Sequence, residues 1–547
     1  MDDAVNARSL ADRYWDQLLE LEPMMGTSTG DPRYDDRMPD VTEQGRAAGA
    51  STHKAALADL AKIDRTGLEG SLRGTLDILE AIADRGLAAI ELRTDRLNVA
   101  SHLWGPGQML AEVGSIQQTD TPERLDRYEA RLRAFPAYLE ASAEVAREAV
   151  ATLVTSPRVV VERAVAQIER MLALAPEESP AIMPLDGEPK ARERIATVVR
   201  DVVNPAYARF LEALREYLPN ATETVGVSAL PGGDQIYAAE IRAWTSLPLD
   251  AQQVHDLGSE RFDAIQEERR QLAARLGYPS AQDAIAAHDA AGDNSFASSE
   301  ALLKLAEEQV ARSWEAAPAF FGRMPSANCE VRAVEEFRQA DMPFAFYNPP
   351  TEDGSRAGVY YVNTYDLPSR GLHHLASVSY HEANPGHHFQ ISIEQEMPDV
   401  PALRRFGGFL AGSAFCEGWG LYCERLADEM GLYLDDWERL GMLDAQALRA
   451  GRLITDTGIH ALGWSRDRAI AKLEEGGAVH TDAVIEIDRY IAMPAQALSY
   501  MTGMIEIEKA RRAASEREGA DFSLRDFHDR LLGLGELPLP SLIRELG

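Results

Sequence analysis

The sequence predicts a mainly α-helical chain with a small β-sheet, and three observations carry that reading. The 547 residues are rich in Ala, Leu, Glu and Arg, and only 7% are aromatic, a composition that favours helices. Apolar residues recur at spacings of three and four through 121–175, as at Leu125, Tyr128, Leu132 and Phe135, which is the helical period. Strand-like runs are few and short.

Similar helical stretches recur at 191–217, 251–275, 299–316 and 434–456. Gly- and Pro-rich stretches at 218–235 and 341–357 suggest an N-terminal helical part, 1–235, and a C-terminal part, 236–547. A strand is expected from Gly358 to Asn363, bounded by Gly358 and by Asp366-Leu367-Pro368, with Cys329 to Glu335 as its hairpin partner.

The C-terminal part contains the most informative segment. His381-Glu382-Ala383-Asn384-Pro385-Gly386-His387-His388 places three of the chain's twelve histidines and a carboxylate in eight residues, after the apolar run Leu375 to Tyr380. Neutral imidazoles are good zinc ligands, and a Glu beside the first is the usual general base of a metalloprotease. The standard second His lies four residues on, about 40° away around a helix; here that position is Pro385. Proline removes a hydrogen bond and clashes with the preceding turn, so Pro385-Gly386 is expected to form a bulge or kink that brings His387 to the metal. His388, which returns to the same face of a straight helix, is the alternative.

A third ligand is expected from a helix over 408–430. Glu417 sits there among apolar and small residues, where an unpaired carboxylate would cost several kcal/mol. Glu424, seven residues on, is placed to orient a ligand histidine. The small residues Gly412, Ser413, Ala414, Gly418 and Gly420 imply that something packs very close to this helix.

His-Glu-x-x-Pro-Gly-His-His followed by Glu-Gly-Trp-x-Leu-Tyr resembles the bacterial family catalogued as domain of unknown function 885, grouped with the thermolysin-like, or gluzincin, zinc peptidases. Pro23 to Asp40, Tyr237 to Thr245 and Phe527 to Pro538 extend the resemblance over nearly the whole chain. It implies two helical lobes around a deep cleft with the small sheet beside the metal helix. It further implies one zinc per chain held by His381, His387 and Glu417, with Glu382 activating a water. A downstream tyrosine would steady the tetrahedral intermediate: Tyr500, with Tyr490 as the alternative. Arg489 is a candidate to bind a substrate carboxylate or simply to pair with an acid. Ordinary helix packing is the competing explanation for all three.

The expected activity is hydrolysis of short peptides without a side-chain nucleophile. Neither a Gly-x-Ser-x-Gly elbow nor a Cys-His signature competes with it. The alternatives are a metal-dependent amidase acting on a non-peptide amide and a non-catalytic metal-binding protein. The strand before the metal segment is suited to pairing with an extended substrate. With 55 basic and 88 acidic residues, a net charge of −33, nucleic acid is not an expected partner. The start of the chain lacks a basic and apolar leader, and no apolar run approaches 18 residues, so neither a signal peptide nor a membrane span is expected. Cys329, Cys416 and Cys423 form no disulfide framework, as fits the cytoplasm.

Overall fold

The computed structural model describes residues 3–185, 187–334, 339, 342–350 and 357–547. It is 72% helix and 3% strand, with one small three-stranded sheet. The expected helical stretches form Pro122–Thr152, Arg158–Ala173, Asn204–Tyr217, Ala251–Leu276, Ser299–Ala316 and Asp436–His460. Their ends follow local chemistry. Asp250 accepts from the Gln253 amide while the Gln253 side chain accepts from the Asp250 amide, a reciprocal cap that starts Ala251–Leu276. Gly277, at φ 88°, ends that helix in the left-handed region. Asp435 caps Asp436–His460 through the amides of Trp437 and Glu438.

The largest buried cluster joins helices near the start of the chain, such as Asp3–Leu21 and Gly70–Leu92, to residues from Tyr237 through Leu546. A second is built mostly from residues between Val99 and Ala221. Ion pairs bind the two ends of the chain together: Arg73 with Glu545 at 2.6 Å, and Arg544 with Asp77 at 2.5 Å. Among the described residues no helix is long and apolar enough to cross a membrane.

The sheet comprises β1 (Cys329–Ala333), β2 (Ala345–Asn348) and β3 (Gly358–Val362), in the order β1-β3-β2. The expected hairpin between the first and last of these does not form. β1 runs parallel to β3, with Cys329 opposite Gly358, and the antiparallel partner of β3 is β2, with Ala345 opposite Val362. Two strands separated by some two dozen residues have enough chain for a parallel crossover, whereas a hairpin needs only a short turn. Glu335 and much of 341–357 lie outside the described residues. The buried Tyr360 and Val362 pack with Leu302, Ala306, Leu375 and Ala383. The Tyr360 hydroxyl lies 3.1 Å from Ser379 Oγ, which donates to Gln309, so the central strand is tied directly to the helix that ends in His381.

The helix expected over 408–430 starts later. Gly408–Ala411 is a short 3₁₀ turn, and Gly412, at φ 130° and ψ 149°, breaks the chain before Ala414–Glu429 begins. A Cβ at Gly412 would lie 2.8 Å from the Ala243 carbonyl oxygen.

Candidate metal centre

Pro385 and Gly386 separate two helices; they do not bulge one. Leu375–Glu382 ends just after His381, the chain turns through 383–386, and His387–Gln395 begins a new helix at His387. The turn is held from the next helix. Trp419 Nε1 donates to the Pro385 carbonyl at 2.9 Å, and the Cys423 thiol donates to the same oxygen at 3.3 Å.

This turn brings the His381 and His387 imidazoles together, with ring centroids 4.7 Å apart and planes perpendicular. Both Nε2 atoms face one carboxylate oxygen, Glu417 Oε2, at 3.8 Å from His381 and 3.6 Å from His387. These separations are too long for hydrogen bonds. They are close to the ~3.3 Å between ligand atoms that each lie ~2.1 Å from a tetrahedral zinc. Glu382 completes the cluster, with ligand atoms of His381, Glu382 and His387 all within 4.8 Å of one another.

The outer nitrogens are occupied. His381 Nδ1 donates to Glu424 Oε1 at 2.8 Å, and Glu424 Oε2 accepts from Gln446 Nε2 at 3.2 Å. His387 Nδ1 lies 3.4 Å from Cys416 Sγ. Each imidazole is thus oriented from behind with Nε2 facing inward, the arrangement that metal-binding histidines adopt. The donor set and its spacing fit zinc.

Charge reinforces this geometry. Burial alone would lower the His381 pKa, but the neighbouring carboxylates of Glu417, Glu424 and Glu382 outweigh it and raise it to about 9. Burial would raise the Glu417 carboxyl, yet the His381 and His387 imidazoles hold it well below the usual carboxylate range. Glu424 is likewise lowered against the effect of burial, by Arg449 and His381. Two glutamates therefore flank His381 as anions, as a cation site requires.

His388 faces away. Its Nε2 donates to the Ala327 carbonyl at 3.1 Å, and its Nδ1 accepts from the Tyr347 hydroxyl of β2 at 2.8 Å. Burial pushes its pKa down to about 4, so it is a neutral ring with both nitrogens engaged.

Close packing explains the small residues. A Cβ at Gly420 would lie 2.8 Å from His381 Nε2, so only glycine leaves room for the His381 ring. A Cβ at Gly418 would lie 2.4 Å from the Gly503 carbonyl carbon. That contact presses Ala414–Glu429 against Ser499–Glu518 and carries Tyr500 to the site. The Tyr500 ring stacks near His381, with centroids 6.4 Å apart. Burial and the Glu417 charge raise its pKa.

Tyr490 and Arg489 lie in an adjoining network. The Tyr490 hydroxyl donates to Glu486 Oε2 at 2.5 Å and accepts from Arg452 Nε at 3.0 Å. Arg489 donates to Gln496 Oε1 at 2.6 Å and to Glu486 Oε2 at 3.0 Å. Gln446, Arg452 and Glu486 were not singled out by the sequence; a buried Arg in an otherwise core-facing helix is the signal that could have found Arg452. Another group of close ligand-type residues, His373, His374 and Asp444, is committed elsewhere. His373 contacts Asn294 at 2.9 Å and Asp444 at 3.2 Å, and Arg269 pairs with Asp444 at 2.7 Å.

Residues 23–546 match the family model described as "Bacterial protein of unknown function (DUF885)". Two solved structures, both described as putative lipoproteins, share the fold. The one from Colwellia psychrerythraea has a TM-score of 0.91 at 25% identity, over 100% of this chain and 99% of that one. The one from Shewanella oneidensis, described as of unknown function, has a TM-score of 0.77 at 18% identity, over 98% of each chain. Comparison with curated protein sequences finds no match.

Proposed function

The chain belongs to the DUF885 family, and we propose that it is a zinc-dependent hydrolase, a peptidase that cleaves short peptides. The observation that carries this reading is the convergence of His381 Nε2 and His387 Nε2 on Glu417 Oε2 at 3.8 and 3.6 Å, with Glu382 beside them. A purely structural metal site has no use for an additional carboxylate at the metal.

His381, His387 and Glu417 would hold the metal. Bound there, zinc would supply Lewis acidity and acidify a water. Glu382 would take a proton from the attacking water and pass it to the departing amine. Glu424 and Cys416 fix the two rings from behind. Tyr500, whose ring lies 6.4 Å from that of His381, would donate a hydrogen bond to the oxyanion, worth a few kcal/mol. The sheet beside the site is suited to lining up an extended peptide. The proposal places this chemistry in a reducing compartment, the cytoplasm, supported by three free cysteines, two of them buried at the site.

The test pairs elemental analysis with mass-spectrometric profiling of a short-peptide library, with Glu382→Gln as control. About one zinc per chain and cleavage lost in the variant are expected. Zinc without peptide cleavage would favour the amidase alternative, and failure to take up zinc would overturn the site.

A further inference from the structure

Behind Tyr500 lies a charge the catalytic groups do not use. Arg452, on Asp436–His460, and Arg489, on His480–Ala492, share a single carboxylate. Glu486 Oε2 accepts from Arg452 Nη2 at 2.8 Å, from Arg489 Nη2 at 3.0 Å and from the Tyr490 hydroxyl. Glu486 is shared between the two guanidiniums, and the buried Asp456 is a further acid in the field of Arg489. Arg452 is 5% exposed, and its Nη1 is buried with no hydrogen-bond partner. A buried donor left without a partner is costly, so Arg452 Nη1 is free for an acceptor that arrives from outside.

Its position indicates what arrives. The Arg452 guanidinium carbon lies 4.2 Å over the Tyr500 ring, and that ring lies 6.4 Å from His381. The cation therefore stands within roughly three residues of extended chain from the metal-site histidine. Arg489, about one-fifth exposed, provides the solvent-facing side of the pair. A planar guanidinium fork matches a carboxylate.

We propose that Arg452 and Arg489 receive the C-terminal carboxylate of the substrate, making the protein a carboxypeptidase-type enzyme that cuts within about three residues of a free C-terminus. This rests on the peptidase reading above and adds the end from which the substrate is read.

The test compares tetra-alanine with tetra-alanine carboxamide as substrates of the zinc-loaded protein. It also follows binding of N-acetylalanine by calorimetry. The free acid is expected to be cleaved about 10- to 150-fold better in kcat/KM, the range of a charge-assisted hydrogen bond. Arg489→Gln should collapse that preference and weaken N-acetylalanine binding, while Arg489→Lys restores part of both. Equal cleavage of acid and amide would overturn the carboxylate site and leave the peptidase standing. If neither is cleaved, the peptidase reading falls and binding decides: N-acetylalanine binding lost in Arg489→Gln retains the carboxylate site, and no binding overturns it.

Discussion

His381 and His387 lie six positions apart on different helices, yet their imidazoles meet at right angles with centroids 4.7 Å apart. The turn between them makes this contact, and it selects His387 over its neighbour.

The two adjacent histidines should therefore separate cleanly on mutation. His387→Ala is expected to weaken zinc affinity roughly 100-fold or more, because it removes a ligand. His388→Ala should leave affinity unchanged and cost ~1–3 kcal/mol of stability, because it removes the hydrogen bonds to the Tyr347 hydroxyl and the Ala327 carbonyl. Zinc titration and thermal melting of both variants check this; an affinity loss in His388→Ala would reverse the assignment.

Zinc uptake should release protons. In the metal-free protein the pKa of His381 is raised to about 9, so the ring is protonated at pH 7 and must lose that proton to ligate. Apparent affinity is expected to rise with pH and level off above about 9. Calorimetry in two buffers of different ionisation enthalpy should show about one proton released from this ring at pH 7. Zero release would show that His381 is already neutral in the metal-free protein.

Gly420→Ala should damage the metal site more than the fold. The added methyl would lie 2.8 Å from His381 Nε2, so the ring must tilt off its partners. Zinc affinity is expected to fall roughly 10- to 100-fold, the size of a disturbed ligand orientation, with the far-ultraviolet circular dichroism intact. Unchanged affinity would show that His381 does not need its present orientation.

The two tyrosines should differ in kind. Tyr500→Phe is expected to lower kcat by about 10²–10³ with zinc retained, the cost of an oxyanion donor. Tyr490→Phe removes the bonds to Glu486 and Arg452 and should cost ~1–2 kcal/mol of stability. Steady-state kinetics and melting of the pair decide; equal kcat in Tyr500→Phe and the parent would assign Tyr500 to packing.

The residues of the candidate site were legible because their types are rare in apolar surroundings. Glu417 and Glu424 stood out in a stretch of Gly, Ala, Phe and Trp, and the structure places them against the two histidines. The choice between His387 and His388 was not legible, since a helix that restarts at residue 387 resets the rotational phase that spacing arguments rely on. Arg452 escaped because Asp436–His460 is buried over most of its surface, so no polar face singles out one member. The strand pairing failed for another reason: register and direction depend on where the crossover runs, and Ala345–Asn348 reads as part of a Pro-rich loop.

The ion pair between Arg73 and Glu545 spans 472 positions of sequence, and that separation is also an interval of time. At about 5–20 residues per second of synthesis, Arg73 emerges roughly 25–95 s before its partner exists. Throughout that wait the apolar faces of Asp3–Leu21 and Gly70–Leu92 lack much of the cluster they share with the C-terminal helices. The nascent chain is thus a client for whatever shields exposed hydrophobic surface in the cell, and dependence on such help should scale with translation speed.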